Sequence, residues 1–399
     1  MPKNMNERPF SVYGRKHIED GAFQQMEVAL KLPITISAAL MPDAHQGYGL
    51  PIGGVLAADN AVIPYGVGVD IGCRMALSIY DIPVEKLEIT KEKFTKAISD
   101  STLFGPGRGF DRSNRSDHAV LENSLFQENK WINSLKDKAW EQLGTSGGGN
   151  HFVEFGTITL EKNDDDLNLK KGSYIALLSH SGSRGLGATI ANHYTKIAKS
   201  VCPLPPEAAN LAYLSLDSDE GKEYWKAMQL AGAYASACHE IIHHKISRHI
   251  SEKPVAQVEN HHNFAWKEEH GGKELIVHRK GATPASKDTF GFIPGSMATP
   301  GFLVRGKGNT KSLYSAAHGA GRLMSRRKAI KTLSPQSLKD LLQERGITLL
   351  GAGMDEAPMA YKNIHNIMEA QKDLVDIVGV FNPRIVKMAD AERRRRRKR

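Results

Sequence analysis

The stretch Ser315-Ala-Ala-His318-Gly-Ala-Gly-Arg322 brings together the residue types that phosphoryl chemistry needs. Glycines at 319 and 321 let a backbone turn sharply and come close to a ligand. The N–H groups of such a turn can cradle phosphate, and Arg322 can hold one through two parallel hydrogen bonds. The imidazole of His318 can attack a phosphorus atom and carry a nucleotide covalently.

A second set of residues has the chemistry of metal ligands. In Val67-Gly-Val-Asp-Ile-Gly-Cys73 a carboxylate, Asp70, and a thiol, Cys73, stand three residues apart with Gly72 between, so both can turn toward one ion. Asn150-His151 follows the glycine run 147–149. His180 lies in Ser179-His-Ser-Gly-Ser-Arg184, and His261-His262-Asn263 adds a further cluster. Taken singly, such residues are more often packed or hydrogen-bonded than ligating; it is the assembly that points to metal. The ligands are too few for two separate four-ligand sites, but one bridging thiolate could serve two ions. Two ions suit in-line displacement at phosphorus, where they stabilise attacking and leaving oxygens together. A thiolate with imidazoles favours zinc, whereas a carboxylate and phosphate oxygens favour manganese or magnesium. Composition leaves both open.

These residues need elements to hold them. Apolar spacing predicts helices over 18–32, 84–100, 118–142, 220–250, 338–343 and 361–371, and strands over 34–41, 52–57, 75–80, 149–155 and 174–179. The clearest is 220–250, where Tyr224, Met228, Ala231, Ala235, Cys238, Ile242 and Ile246 recur at intervals of three and four, with Ser218 or Asp219 as cap. Cys238 on that stripe reads as core, and the nearby His239, His243, His244 and His249 as non-ligating. Glycines gather with His, Asp and Asn, the pattern of loops around a site. Helices and strands do not alternate regularly, so a doubly wound sheet is disfavoured. The expectation is one α+β domain over 1–388, with sheets forming the active-site core and helices outside.

With 399 residues, 40% hydrophobic and 24% charged, the chain reads as an ordinary globular protein. No apolar run approaches a membrane span and the N-terminus lacks a signal-peptide core, so a cytoplasmic protein is expected. Three cysteines do not suggest a disulfide framework. The net charge of +9 is concentrated at the C-terminus, where Arg393 to Arg399 supply seven positive charges and leave +2 for the rest. The tail 389–399 is expected to be a disordered, solvated end, although such a run can also grip RNA without specificity.

In order along the chain, Met41-Pro-Asp-Ala-His-Gln-Gly-Tyr-Gly-Leu-Pro-Ile-Gly-Gly54, the run ending at Cys73, Gly148-Gly-Asn-His-Phe152, His180-Ser-Gly-Ser-Arg-Gly185, His262-Asn263, His278-Arg-Lys-Gly-Ala-Thr283, Pro294-Gly-Ser-Met297 and His318-Gly-Ala-Gly-Arg322 resemble the RtcB-type RNA ligases. The likeness spans about Met41 to Lys387. It implies a GTP-dependent ligase with two manganese ions, zinc remaining possible on ligand type. Such an enzyme joins RNA ends bearing a 2′,3′-cyclic phosphate or 3′-phosphate to 5′-hydroxyl ends, in tRNA splicing or RNA repair. The implied path runs through GMP on the catalytic His318, then GMP on the RNA 3′-phosphate, then sealing.

Carried over by residue, Asp70, Cys73 and His151 resemble the ligands of one metal, and Cys73, His180 and His262 those of the other. Asn150, His151, Phe152, Val153 and Glu154, His262 with Asn263, Pro294, Gly295, Ser296 and Met297, and His318, Gly319, Ala320 and Gly321 resemble the GTP-binding segments. Lys387 resembles a lysine that contacts guanine. Arg184, Lys280, Arg322 and Arg326 resemble groups that hold RNA phosphates. RNA is the implied partner, with an activating protein conceivable, no membrane, and a monomer expected.

The chain departs from the family pattern in places. Ala298 and Gly301 stand where the family has Gly and Ser, so one nucleotide hydroxyl contact is expected to be missing. Arg74 follows Cys73 where many members have Gly, and its charge is expected to favour the thiolate. Cys238-His239 replaces an Asn-Arg pair. Two other activities remain in view: a metal-dependent phosphodiesterase, which has no need of His318, and an enzyme that caps 3′-phosphates with GMP without sealing.

Overall fold

The computed structural model describes residues 8–390; the arginine-rich run lies outside the described residues. A large sheet runs in the order Phe290–Ile293, Gly301–Gly306, Val375–Met388, Phe152–Leu160, Gly172–Ser181, Arg74–Tyr80, Ala256–His261. A second sheet is ordered Phe10–Val12, Thr35–His45, Ile52–Ala58, Lys273–Lys280, Asn263–His270. A short antiparallel ribbon pairs Ala282–Pro284 with Ser315–Ala317. Helices lie outside the sheets, so the α+β expectation holds. No helix among the described residues is long and apolar enough to cross a membrane.

Alternation along the large sheet builds both of its packed faces. Ile175 and Leu177 pack with Ile242 and Ile246 of the long helix Asp219–Ile250. Ala176 and Leu178, one residue out of phase, pack with Met75, Leu77 and Phe292 on the opposite face. The predicted stripe of the long helix is buried at every position named above. Burying each large apolar side chain contributes about 1.5–3 kcal/mol. The Ser218 hydroxyl accepts from the Gly221 N–H at 3.1 Å, closing the helix start. Cys238 is core, as expected.

Other expectations need correction. The predicted helix 118–142 is broken into Ala119–Glu122, Leu125–Glu128, Lys130–Asn133 and Lys136–Gln142. Asparagine side chains interrupt it: Asn123 Oδ1 accepts from Leu125 N–H, and Asn129 Oδ1 from Trp131 and Ile132 N–H, each at 3.0 Å. Such local bonds compete with helical ones. The helix 84–100 divides at Thr90 into Lys86–Ile89 and Lys91–Ser101. Helix Arg184–Val201 and strand Val375–Met388 were not expected. Glycines at 185 and 187 hide the helix start; the stripe Leu186, Ile190, Ala191, Tyr194, Ala198 buries it.

The sheet gathers the ligand types at one of its ends. Cys73 precedes strand Arg74–Tyr80 and His151 precedes Phe152–Leu160; His180 is the penultimate residue of Gly172–Ser181, and His262 follows Ala256–His261. Because these neighbours run antiparallel, starts of two strands and ends of two others share an edge, with His180 opposite both Met75 and Phe152. Gly72 is required there: its φ is +70°, and an added Cβ would lie 2.8 Å from Gly232 Cα of the long helix.

Candidate active site

Cys73, His151 and His180 place ligand atoms within 4.8 Å of one another. Cys73 Sγ is 3.4 Å from His151 Nε2 and 3.2 Å from His180 Nε2. His180 Nε2 is in turn 3.2 Å from His262 Nε2, and Asp70 Oδ2 is 3.0 Å from His151 Nε2. All five predicted ligands therefore converge. The ring of His180 is set by its Nδ1–H, which donates to the Asn150 carbonyl at 3.0 Å and leaves Nε2 with a lone pair. Lone pairs converging at such distances are what a cation would satisfy, and the donor set fits one.

Burial lowers the pKa of His180 and His262 far below the usual imidazole range, so both are neutral. Burial would raise that of Asp70, but the hydrogen bond and charge of His151, with Arg184 beyond, outweigh it and hold the carboxyl well below its ordinary range. Ser183 N–H also donates to Asp70, at 3.0 Å. Burial, reinforced by Asp70, pushes the Cys73 thiol well up. Arg74 acts on the thiol in the expected direction but is outweighed. Its guanidinium turns away to pair with Glu259 and to donate to the carbonyls of Gly72 and Gly232, and its lowering influence on the thiol is the weaker one.

His239 and His243 are not ligands. A chain of hydrogen bonds runs behind the ligand-bearing strand. His239 Nε2–H donates to the Ser181 carbonyl (3.2 Å), so its Nδ1 accepts from the Ser179 hydroxyl (2.6 Å). Ser179 accepts from His243 Nε2–H (2.7 Å), and His243 Nδ1 faces Ser78 (2.7 Å), which accepts from Gln257 at 3.0 Å. Both rings are neutral; burial lowers His243 to about 3.

His318 opens into the same cavity, with its ring centroid 4.9 Å from that of His262. Its Nδ1 donates to Asp43 Oδ2 at 2.7 Å, across 275 residues of chain. Asp43 is fully buried, and its Oδ1 has no partner. It sits where the ladder between Thr35–His45 and Ile52–Ala58 loses register, between Leu40 and His45. The carboxylate fixes the tautomer, so Nε2 carries the lone pair. Sequence reasoning missed this partner; its only signal was an acid within a glycine- and histidine-rich run.

The cavity is about 350 Å³, within the range of small-molecule sites. Asn150, His151, Phe152, Glu154, Asn263, Pro294 to Met297 and Gly319 to Gly321 line it, as do Lys280, Arg322 and Arg326. Burial pushes the Glu154 carboxyl well above the carboxylate range. Val153 does not line the cavity: alternation turns it into the core with Phe155. Lys387 is turned away for the same reason. Val386 and Met388 face the cavity, while the Lys387 ammonium reaches the Ser99 carbonyl at 3.2 Å.

The four predicted phosphate-holding cations are unequal. Arg322 is largely consumed by the carbonyls of Met324 and Asp355, by Glu356 and by Tyr361. Arg326 pairs through Nη1 with Asp355 and Glu356, and its Nη2 turns toward Gly149. Lys280 is buried, donating to the Tyr48 and Tyr65 carbonyls, and burial lowers it to about 7. Arg184 lies outside this cavity, in an adjoining groove, with Nη2 2.9 Å from His151 Nδ1. At the departures, Gly301 is fixed by packing: an added Cβ would meet Phe292 at 2.6 Å. Hydroxyls of Ser296 and Thr299, 2.9 Å apart, line the wall beside it. The wall thus keeps hydroxyl groups without a serine at 301.

A family model described as tRNA-splicing ligase RtcB matches residues 24–388. The chain is 33% identical over 395 residues to the RNA-splicing ligase RtcB of Escherichia coli strain K12, an alignment covering 90% of this chain and 92% of that relative. It is 31% identical to the tRNA-splicing ligase RtcB of Nanoarchaeum equitans, covering 90% of each chain. To the protein of that same description in Thermococcus kodakarensis it is 29% identical, covering 93% of this chain and 94% of the relative.

Proposed function

The chain belongs to the RtcB family of tRNA-splicing ligases, and from that premise we propose that it is a GTP- and manganese-dependent ligase sealing RNA 3′-phosphate or 2′,3′-cyclic-phosphate ends to 5′-hydroxyl ends. The observation that carries this reading is the His318–Asp43 pair, 2.7 Å apart, opening beside the ligand cluster. Simple two-metal hydrolysis has no use for a histidine whose free Nε2 is held ready by a buried carboxylate.

His318 Nε2 attacks the α-phosphorus of GTP; the bond to the β-phosphate oxygen breaks and pyrophosphate leaves. The Nδ1 proton stays on the ring, hydrogen-bonded to the Asp43 carboxylate, whose charge stabilises that growing on the imidazole. An oxygen of the RNA 3′-phosphate then attacks the same phosphorus, the N–P bond breaks, and His318 returns neutral. The 5′-hydroxyl finally attacks the activated 3′-phosphorus, releasing GMP and a proton. A 3′-phosphate is a poor electrophile, and GMP gives it a leaving group. Asp70, Cys73 and His151 would hold one cation and Cys73, His180 and His262 the other, which when bound offset the charge of crowded phosphates. Glu154, buried without a charge partner, suits the N1–H and N2–H donors of guanine.

Incubation with α-labelled GTP and manganese should give an acid-labile label on the protein that is lost in His318→Ala. Equal labelling of both would remove His318 from this role. RNA with cyclic-phosphate and 5′-hydroxyl ends then separates sealing from capping or hydrolysis.

A further inference from the structure

The strand ends that carry the ligand cluster also build a groove turned away from it. Arg74 and His261 pair across neighbouring strands, and each is next in sequence to a ligand, Cys73 or His262. Alternation turns the two ligands into the main cavity and sends Arg74 and His261 out of it. They enter an open groove of about 480 Å³ that shares no lining residue with that cavity. Trp225 and Gln229, one turn apart on the long helix, supply one part of its wall, and Phe264 and Trp266 of strand Asn263–His270 another.

The rings of this wall are held in place. Trp225 and Trp266 are half-buried and pack against the core beneath them. The His261 ring centroid lies 4.9 Å from those of both Phe264 and Trp266. The guanidinium of the fully buried Arg279 lies over Trp266, 4.6 Å from its centroid, and the Lys267 ammonium is 5.9 Å from that of Trp225. The indole N–H groups of both tryptophans and the Gln229 amide make no hydrogen bond among the described residues. No carboxylate lines the groove. Glu259, beside it, is engaged by Arg74 and by the Ser236 hydroxyl at 2.9 Å. Arg74 is spent on that pair and on two backbone carbonyls, so it serves as floor. Lys267 is exposed, and its one ion pair, with Glu274 at 3.5 Å, is of the kind that contributes little.

We propose that this groove takes an unpaired base of the RNA, stacked on the indole rings with Lys267 on the adjoining phosphate; the choice of RNA rests on the ligase reading above, and the site lies apart from the reacting ends. Three features select the occupant. Rigid aromatic faces suit a flat base. Indole and amide donors without protein partners match the acceptor atoms on a base edge. A wall with cations and no carboxylate suits a polyanion. A proline-rich peptide also packs on aromatic grooves, but it brings neither a flat face for the indoles nor a negative charge for Lys267. A base held there anchors the body of the RNA while its ends react on the other side of the strands. Substrates with unpaired nucleotides are thereby favoured over fully paired ones.

Binding is measured on the full-length protein without GTP or manganese, by quenching of tryptophan fluorescence and by polarisation of a dye-labelled strand. The probe is a short single-stranded RNA with a 3′-hydroxyl end, beside the same sequence as a duplex; the single strand should quench and the duplex should not. Trp225→Ala removes a stacking face and should weaken single-strand binding about 5- to 150-fold, the scale of one lost stack. Ala233→Glu adds a carboxylate at an exposed helix position on the same wall, leaves the core untouched, and should weaken binding in the same direction. Acid-labile labelling by GTP should stay within about twofold of the unaltered protein in both variants. Unchanged affinity in both overturns the proposal. So does a free nucleoside monophosphate that binds as tightly as the strand, or quenching by a proline-rich peptide and not by RNA. If the unaltered protein takes no label from GTP, the ligase reading falls, while the binding measurements still decide the groove.

Discussion

Replacing Asp43 with asparagine tests the nucleophile without touching it. The carboxylate is fully buried, 2.7 Å from His318 Nδ1, and its second oxygen has no partner. A hydrogen bond to a charged group contributes about 1.5–3 kcal/mol. Its loss from the step that builds charge on the ring therefore slows guanylylation about 10- to 150-fold. Asparagine can do further harm, because its amide can donate to Nδ1 and drive the ring proton onto Nε2, where the nucleophilic lone pair should be. The equivalent tautomer error in a Ser-His-Asp triad costs about 10⁴. The expected range is thus from about tenfold to about 10⁴-fold. Stability should not fall, since removing a buried charge with an unpaired oxygen relieves desolvation. The assay is single-turnover formation of acid-labile label from α-labelled GTP at saturating nucleotide and metal, with a melting curve beside it. A labelling rate within twofold of the unaltered protein would refute the reasoning; a slow rate with a lowered Tm would point to misfolding instead.

Because burial holds Cys73 protonated while His180 and His262 are neutral, metal binding must expel the thiol proton. Affinity should rise about tenfold per pH unit between roughly pH 6 and 8, read by titrating the metal-free protein calorimetrically, and Cys73→Ser should flatten that slope; a pH-independent affinity would contradict it. Lys280 is lowered from 10.5 to about 7 by burial, so between those values the unfolded chain binds the extra proton and stability rises with pH. That burial costs roughly 5 kcal/mol below pH 7, partly offset by its two carbonyl contacts. Lys280→Met should therefore raise stability by on the order of 2 kcal/mol at pH 6, a gain fading toward pH 10; denaturant melts at both pH values decide it, and a loss at pH 6 would count against the cause given. Gly147 has φ +77°, and an added Cβ would lie 1.2 Å from Arg184 Nη1; Gly147→Ala should expel that guanidinium and cost about 1–3 kcal/mol, and an unchanged melting temperature with unchanged sealing would refute this.

The ligand cluster was legible because its chemistry is local: Cys73, His151 and His262 stand beside glycine or asparagine, Asp70 and His180 within two residues of a glycine, and all but Asp70 lie at strand ends. The partner of His318 was not, since Asp43 reaches it only through a slipped register in another sheet. Side-chain direction was the other gap. Val153 and Lys387 lie in segments that do line the cavity, yet a period of two turns both away, and Arg74 sits next to Cys73 while pointing at the long helix. Nor could residue type show that Arg322 is consumed by Asp355, Glu356 and Tyr361 while Arg326 keeps an open edge. The helix 118–142 failed because asparagines satisfy backbone donors there, a competition that apolar spacing does not register.

Mounting the donors on four neighbouring antiparallel strands makes the centre a gauge of correct assembly. Sliding the strand Gly172–Ser181 by one position would send His180 to the reverse side of the sheet and bring Ser179 or Ser181 forward. A misaligned chain would therefore lose a donor outright rather than hold it a little too far away. Uptake of the ion should accordingly appear late in refolding and all at once, following the pairing of the sheet rather than the collapse of the helices around it.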